Sequence, residues 1–119
     1  MVKIQGYSHI HLLVSDLQRS CTFYGAFGFV EQFRLRDEMV FLSTPEQDAW
    51  LTLHFSDSDQ VGNSGGLLHV GLALDDSQDL EEAVRELEQN GGTVVERGEH
   101  DPGMFYAYVA DPDGYVIEI

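Results

Sequence analysis

The chain is poor in cysteine, proline and positive charge, and each shortage closes off a class of protein. One cysteine, Cys21, in 119 residues cannot make an internal disulfide framework. That points to a reducing, cytoplasmic setting, with Cys21 read as a small hydrophobe buried on a helix. Three prolines and a 43% hydrophobic composition describe an ordinary folded domain rather than a disordered or fibrous chain. Only six Lys and Arg stand against 21 Asp and Glu, a formal charge of -15, which excludes nucleic acid as a partner because phosphates would be repelled. No apolar run reaches the roughly 20 residues that cross a bilayer, and Met1-Val2-Lys3-Ile4 lacks the pattern of a signal peptide, so neither a membrane nor a secretory role is expected.

The sequence is rich in short alternating segments. At the C-terminal end, Phe105–Ala110 and Tyr115–Ile119 flank Asp111-Pro112-Asp113-Gly114, the composition of a turn between two strands. Alternation sends Tyr115, Ile117 and Ile119 one way and Val116 and Glu118 the other. A carboxylate within such an apolar strand wants a cation, because burying it alone is costly.

The rest of the chain repeats one pattern. His9–Val14 alternates as a half-buried strand, and Ser15-Asp16 caps a helix over Leu17–Gly25 that presents Leu17, Phe23, Tyr24 and Phe27. Strands are expected at Val30–Leu35, Met39–Ser43 and Trp50–Phe55, followed by a polar, glycine-rich linker at Asp57–Gly66. His69–Leu74 then restarts the pattern, since His69 precedes Asp76 by the seven residues that separate His9 from Asp16. A second helix capped by Asp76 or Ser77 runs to about Asn90, and strands follow at Thr93–Glu96, Phe105–Val109 and Tyr115–Ile119. The expected organisation is one α+β domain of two βαβββ modules, about 4–58 and 67–119, forming a curved mixed sheet with helices on its convex face.

Two amphipathic helices can cover only the greasy side of such a sheet. The other side is then a concave surface carrying His9, His11, Thr52, His54, His69 and Glu118. His9, His69 and Glu118 match a two-histidine, one-carboxylate ligand set. Such a set suits one divalent ion per site, Fe2+, Mn2+, Zn2+ or Ni2+, and leaves positions open for a small-molecule substrate.

These motifs carry a resemblance. His9-x-x-Leu12, Asp16-Leu17-x-x-Ser20-x-x-Phe23-Tyr24 with Gly28-Phe29, His69-x-Gly71-Leu72, and Asp111-Pro112-Asp113-Gly114-Tyr115 with Glu118 resemble the glyoxalase, bleomycin-resistance and extradiol dioxygenase superfamily, the vicinal oxygen chelate proteins. The resemblance implies paired βαβββ modules, metal ligands at His9, His69 and Glu118, and a homodimer with sites built across its interface. Within it, Gly98-x-His100, Tyr108, Asp111-Pro112, Gly114 and Glu118 are similar to the signature of extradiol dioxygenases, although Ala107 replaces a larger apolar residue and Trp50 stands near the expected distal histidine. On that analogy Tyr108 would hydrogen-bond a bound catecholate and His100 would assist proton transfer. This dioxygenase-like reading is preferred. The alternative is a glyoxalase I-like lyase, which usually has a glutamate where Thr52 stands, with His54 as a substitute. A metal-free drug-binding or resistance protein is a further alternative, counted against by the three ligand-type residues. Fosfomycin-modifying relatives rank lower because no basic residue is apparent for a phosphonate.

Overall fold

The computed structural model describes all residues from Met1 to Ile119. The first half runs β1 (His9–Val14), α1 (Leu17–Gly25), β2 (Val30–Leu35), β3 (Met39–Ser43) and β4 (Trp50–Phe55). The second runs β5 (Val70–Gly71), α2 (Leu80–Gln89), β6 (Thr93–Glu99), β7 (Phe105–Ala110) and β8 (Val116–Glu118). Each half is βαβββ, and its strands make a four-stranded mixed sheet, in the orders β1-β4-β3-β2 and β5-β8-β7-β6. In both, the first strand pairs in parallel with the last and the other pairings are antiparallel. The helix between first and second strands makes that parallel pairing possible, because a hairpin turn cannot reverse the chain twice.

Helix α1 begins where Asp16 accepts a hydrogen bond from the Arg19 amide at 2.9 Å, as the Ser15-Asp16 signal predicts. Helix α2 starts later than expected. Asp79, not Asp76 or Ser77, is its cap, accepting from the Glu82 amide at 3.0 Å. Asp75 instead bends the preceding chain into a local turn by accepting from Ser77, which competes with helix formation there. The expected strand at His69–Leu74 shrinks to Val70–Gly71, although Leu72 still donates its amide to the Glu118 carbonyl. β6 is longer than expected, reaching Glu99.

α1 packs on β4, and α2 packs on β7 and β6. The buried side chains Val14, Phe23, Tyr24, Val40, Leu42, Leu51, Leu53, Val84, Leu87, Ala107, Val109 and Ile117 make one continuous core spanning both halves. Cys21 is only half-buried beside it. Phe23 of α1 lies over Gly92 so closely that a Cβ there would come within 2.8 Å of its ring.

A polar lock joins the halves. Asp111 is buried and accepts hydrogen bonds from the Tyr24 hydroxyl (2.7 Å) and from the amides of Asp113 and Tyr115 (2.9 and 3.0 Å). Asp113 reaches back to the start of α1, accepting from the Ser15 amide and hydroxyl and from the Arg19 guanidinium at 3.0 Å. Tyr115 donates its hydroxyl to the Leu13 carbonyl at 2.8 Å. The Asp-Pro-Asp-Gly turn is therefore more than a chain reversal, since its two carboxylates fasten the second half to the first helix.

Candidate functional site

Strand register decides which side chains share the face that no helix covers. In the first sheet His9, His11 and Leu13 oppose Trp50, Thr52 and His54, which in turn oppose Ser43, Phe41 and Met39. Phe33 continues that row through its pairing with Phe41. The alternate residues Leu51, Leu53, Val40 and Leu42 enter the core. In the second sheet Glu118 opposes Tyr108, and Tyr108 opposes Glu96, while Tyr106 opposes Gly98.

The carboxylate of Glu118 is the centre of the second sheet's cluster. His69 donates from Nε2 to one oxygen at 2.8 Å, and His100 donates from Nε2 to the other at 2.6 Å. The Glu118 side chain keeps 22% of its exposure, so the group is accessible and not a core ion pair. Tyr108 sits 5.0 Å from the His69 ring, and Tyr106 stacks on His100 at 4.1 Å. Tyr106 also lies flat on Gly98, where an added Cβ would fall 2.5 Å from its hydroxyl. Desolvation, then the negative charge of Glu118, raises the Tyr108 phenol above its usual range, so it stays a hydrogen-bond donor at neutral pH.

The first sheet holds three imidazoles on its open face. His11 Nε2 and His54 Nδ1 stand at hydrogen-bond distance, 3.1 Å. Burial, followed by the neighbouring His54 and His9 charges, holds the His11 imidazole below its ordinary range. His9 is exposed, with Nδ1 3.0 Å from the Ser8 hydroxyl. Thr52, expected on the cavity wall, is 4% exposed.

Of the three expected ligands, the single chain brings His69 and Glu118 together, and His9 belongs to the other sheet. No three His, Cys, Asp or Glu side chains in the chain are arranged to hold a metal ion. The donors are chemically suited to one, since imidazole nitrogen and carboxylate oxygen both bind divalent ions, but one chain presents them in two parts. A cleft of about 260 Å³ between the halves is lined by His11 and His69, with Leu13, Leu67, Leu68 and Tyr115. Another of about 540 Å³ opens on the helix side, between the end of α1 and α2, and carries no histidine.

The sequence reading missed Tyr106, Glu96, Phe33 and Phe41. Following the pairing outward from Tyr108 and Thr52 would have found them, but only with the register known.

The family model for the glyoxalase/bleomycin resistance protein/dioxygenase superfamily matches residues 6–119. The chain belongs to this superfamily. Its relatives include the lactoylglutathione lyase of Salmonella typhimurium, 34% identical over 93% of this chain and 88% of that protein. The glutathione transferase FosA of Serratia marcescens is 26% identical over 98% and 80%. Among solved structures, a glyoxalase-related enzyme from Fulvimarina pelagi superposes with a TM-score of 0.76 at 26% identity, covering 98% and 87%. The fosfomycin resistance protein FosX of Listeria monocytogenes, in complex with Mn(II) and a dihydroxypropylphosphonic acid, gives 0.78 at 22% identity over 98% and 89%, a likeness of fold. The superfamily fold, α+β with two mixed sheets, is thus the one its sequence motifs anticipate.

Proposed function

We propose that the protein is a metal-dependent enzyme acting on a small molecule through two adjacent oxygens. His69 and Glu118 from one open sheet face and His9 from another would hold a divalent ion. The observation that carries this reading is the His69–Glu118 contact at 2.8 Å on an accessible face, where no core-packing role explains it. Such an ion supplies Lewis acidity, polarising the substrate oxygens and stabilising negative charge that develops on them.

The chain's own residues supply the rest. Tyr108, held protonated, can donate to a substrate oxygen beside His69. His100, clamped between the Tyr106 ring and Glu118, is placed to take or return a proton. His54, steered by His11, is the remaining base on the first sheet, since Thr52 has no carboxylate and is buried. Proton handling by imidazole is compatible with the lyase chemistry named for the Salmonella relative and with ring-opening oxygenation. The positions of His100 and Tyr108 in the extradiol-like signature favour the second, and the 34% relative favours the first at least as well.

Elemental analysis of protein purified without added metal tests the reading. We expect about one divalent ion per chain, lost in His69→Ala while the fold is retained, and progressive loss on acidification because the imidazoles must be neutral to bind. Full occupancy in His69→Ala would sink the ligand assignment, and absence of metal at any added concentration would favour a binding protein. Assays with hemithioacetals and catechols separate lyase from oxygenase.

A further inference from the structure

We infer that His11 and His54 form a second metal site, contained in one chain, that takes a late transition-metal ion such as Cu2+ or Zn2+. The two are diagonal neighbours across the parallel β1–β4 pair, where His11 opposes Thr52 and His54 opposes Leu13. Both leave the sheet on the face that no helix covers. His11 Nε2 and His54 Nδ1 stand 3.1 Å apart, and the rings are tilted by 38° with centroids at 5.2 Å. Two nitrogens each about 2.05 Å from one ion are about 2.9 Å apart at a right angle and about 3.4 Å apart at the tetrahedral angle. The pair therefore already has the spacing of two neighbouring ligands on one ion. Stability does not account for that spacing. His11 is exposed, and a hydrogen bond between neutral rings in contact with water contributes only about 0.5–1.5 kcal/mol.

The donor set selects the ion. Imidazole suits copper, zinc and nickel, whereas Mg2+, Ca2+ and Mn2+ want carboxylate oxygens. The residues opposite the pair are Thr52, Leu13 and Met39, none of them a carboxylate. Met39 stands directly opposite His54 in the β3–β4 register, within side-chain reach, and its thioether is a soft donor that favours copper. This site shares no ligand with the ion expected at His9, His69 and Glu118, and it needs no second chain. It goes beyond the proposed function and does not depend on it. One consequence does depend on it. With Nδ1 on an ion, the neutral His54 ring carries its hydrogen on Nε2 and keeps no lone pair to accept a proton. Excess copper or zinc would thus silence the base assigned to the first sheet.

The chain has five histidines, so a protein carrying both His69→Ala and His100→Ala keeps only the three on the first sheet. That variant, stripped of metal, is titrated with Cu2+ by calorimetry, and the bound copper is read by electron paramagnetic resonance. We expect one Cu2+ per chain with two imidazole nitrogens attached. Adding His11→Gln or His54→Gln should weaken it at least about tenfold. The ion expected at His69 and Glu118 cannot form in this background, so failure of the proposed function would leave the result unchanged. A second measurement does not need the double variant to fold. In the otherwise unaltered protein, His54→Gln should remove one bound Cu2+ while the ion lost in His69→Ala stays. Copper binding indifferent to both glutamine variants, no binding at micromolar Cu2+, or loss caused by His9→Gln and not by His11→Gln would overturn the inference.

Discussion

Asp111 shows how much one residue can carry. Its carboxyl is pushed above the usual carboxylate range mainly by burial, and the Tyr24 hydroxyl and two backbone amides pull it partly back. Removing the hydroxyl in Tyr24→Phe leaves a buried carboxylate oxygen unpaired, which costs about 1–3 kcal/mol. Because that hydroxyl favours the charged form, its loss raises the folded-state pKa further. A carboxyl whose folded pKa lies above its unfolded value holds its proton more tightly when folded, so stability falls as pH rises between the two values. The variant should therefore be penalised more at pH 8 than at pH 5, as denaturant midpoints at the two values would show. An equal penalty at both would mean that Asp111 does not titrate with the fold. Asp111 could be assigned to a turn from its neighbours in sequence, but its bond to Tyr24, 87 positions away, had no local signature.

At the scale of elements, strands and turns with strong alternation were legible, and those governed by partners were not. β2, β3 and β4 fall where their apolar periodicity places them. β5 is short because only two of its residues find a ladder with β8, which no property of His69–Leu74 itself dictates. The linker is a second case. Its glycines read as looseness, yet Gly62 has φ +78° and sits against the Asp113 carbonyl, where a Cβ would come within 2.1 Å. Gly62→Ala should destabilise the fold by about 1–3 kcal/mol through backbone strain, with further loss from the clash. Gly65→Ala shares the left-handed strain (φ +58°) but meets nothing. Comparing the two by chemical denaturation isolates the clash; equal losses would show that the linker tip does not press on the turn.

The whole molecule is more open than its mass requires. It exposes 8016 Å², against about 6,500 Å² expected for a compact monomer of 13.3 kDa. The radius of gyration, 14.7 Å, exceeds the roughly 13.5 Å typical of this length. Val2, Ile4, Tyr7, Phe33, Leu67, Leu68 and Phe105 are left exposed. We propose that a second copy covers much of this surface and brings the two sets of donors together, as the superfamily resemblance led us to expect. Sedimentation should give about twice the chain mass, and association should tighten with salt, because two chains of charge -15 repel until screened. A monomer at all salt concentrations would reject both the dimer and a site shared across it. The ligand-type residues were readable from alternation alone. Their division between two faces was not, because it depends on how one sheet stands to another.

The carboxylate plug formed by Asp111 and Asp113 makes the two βαβββ halves unequal partners. The first half has no matching acidic hook, and the second offers no tyrosine or arginine socket of its own. The fastening therefore runs one way, from carboxylates and a tyrosine late in the chain to the strand and helix that open it.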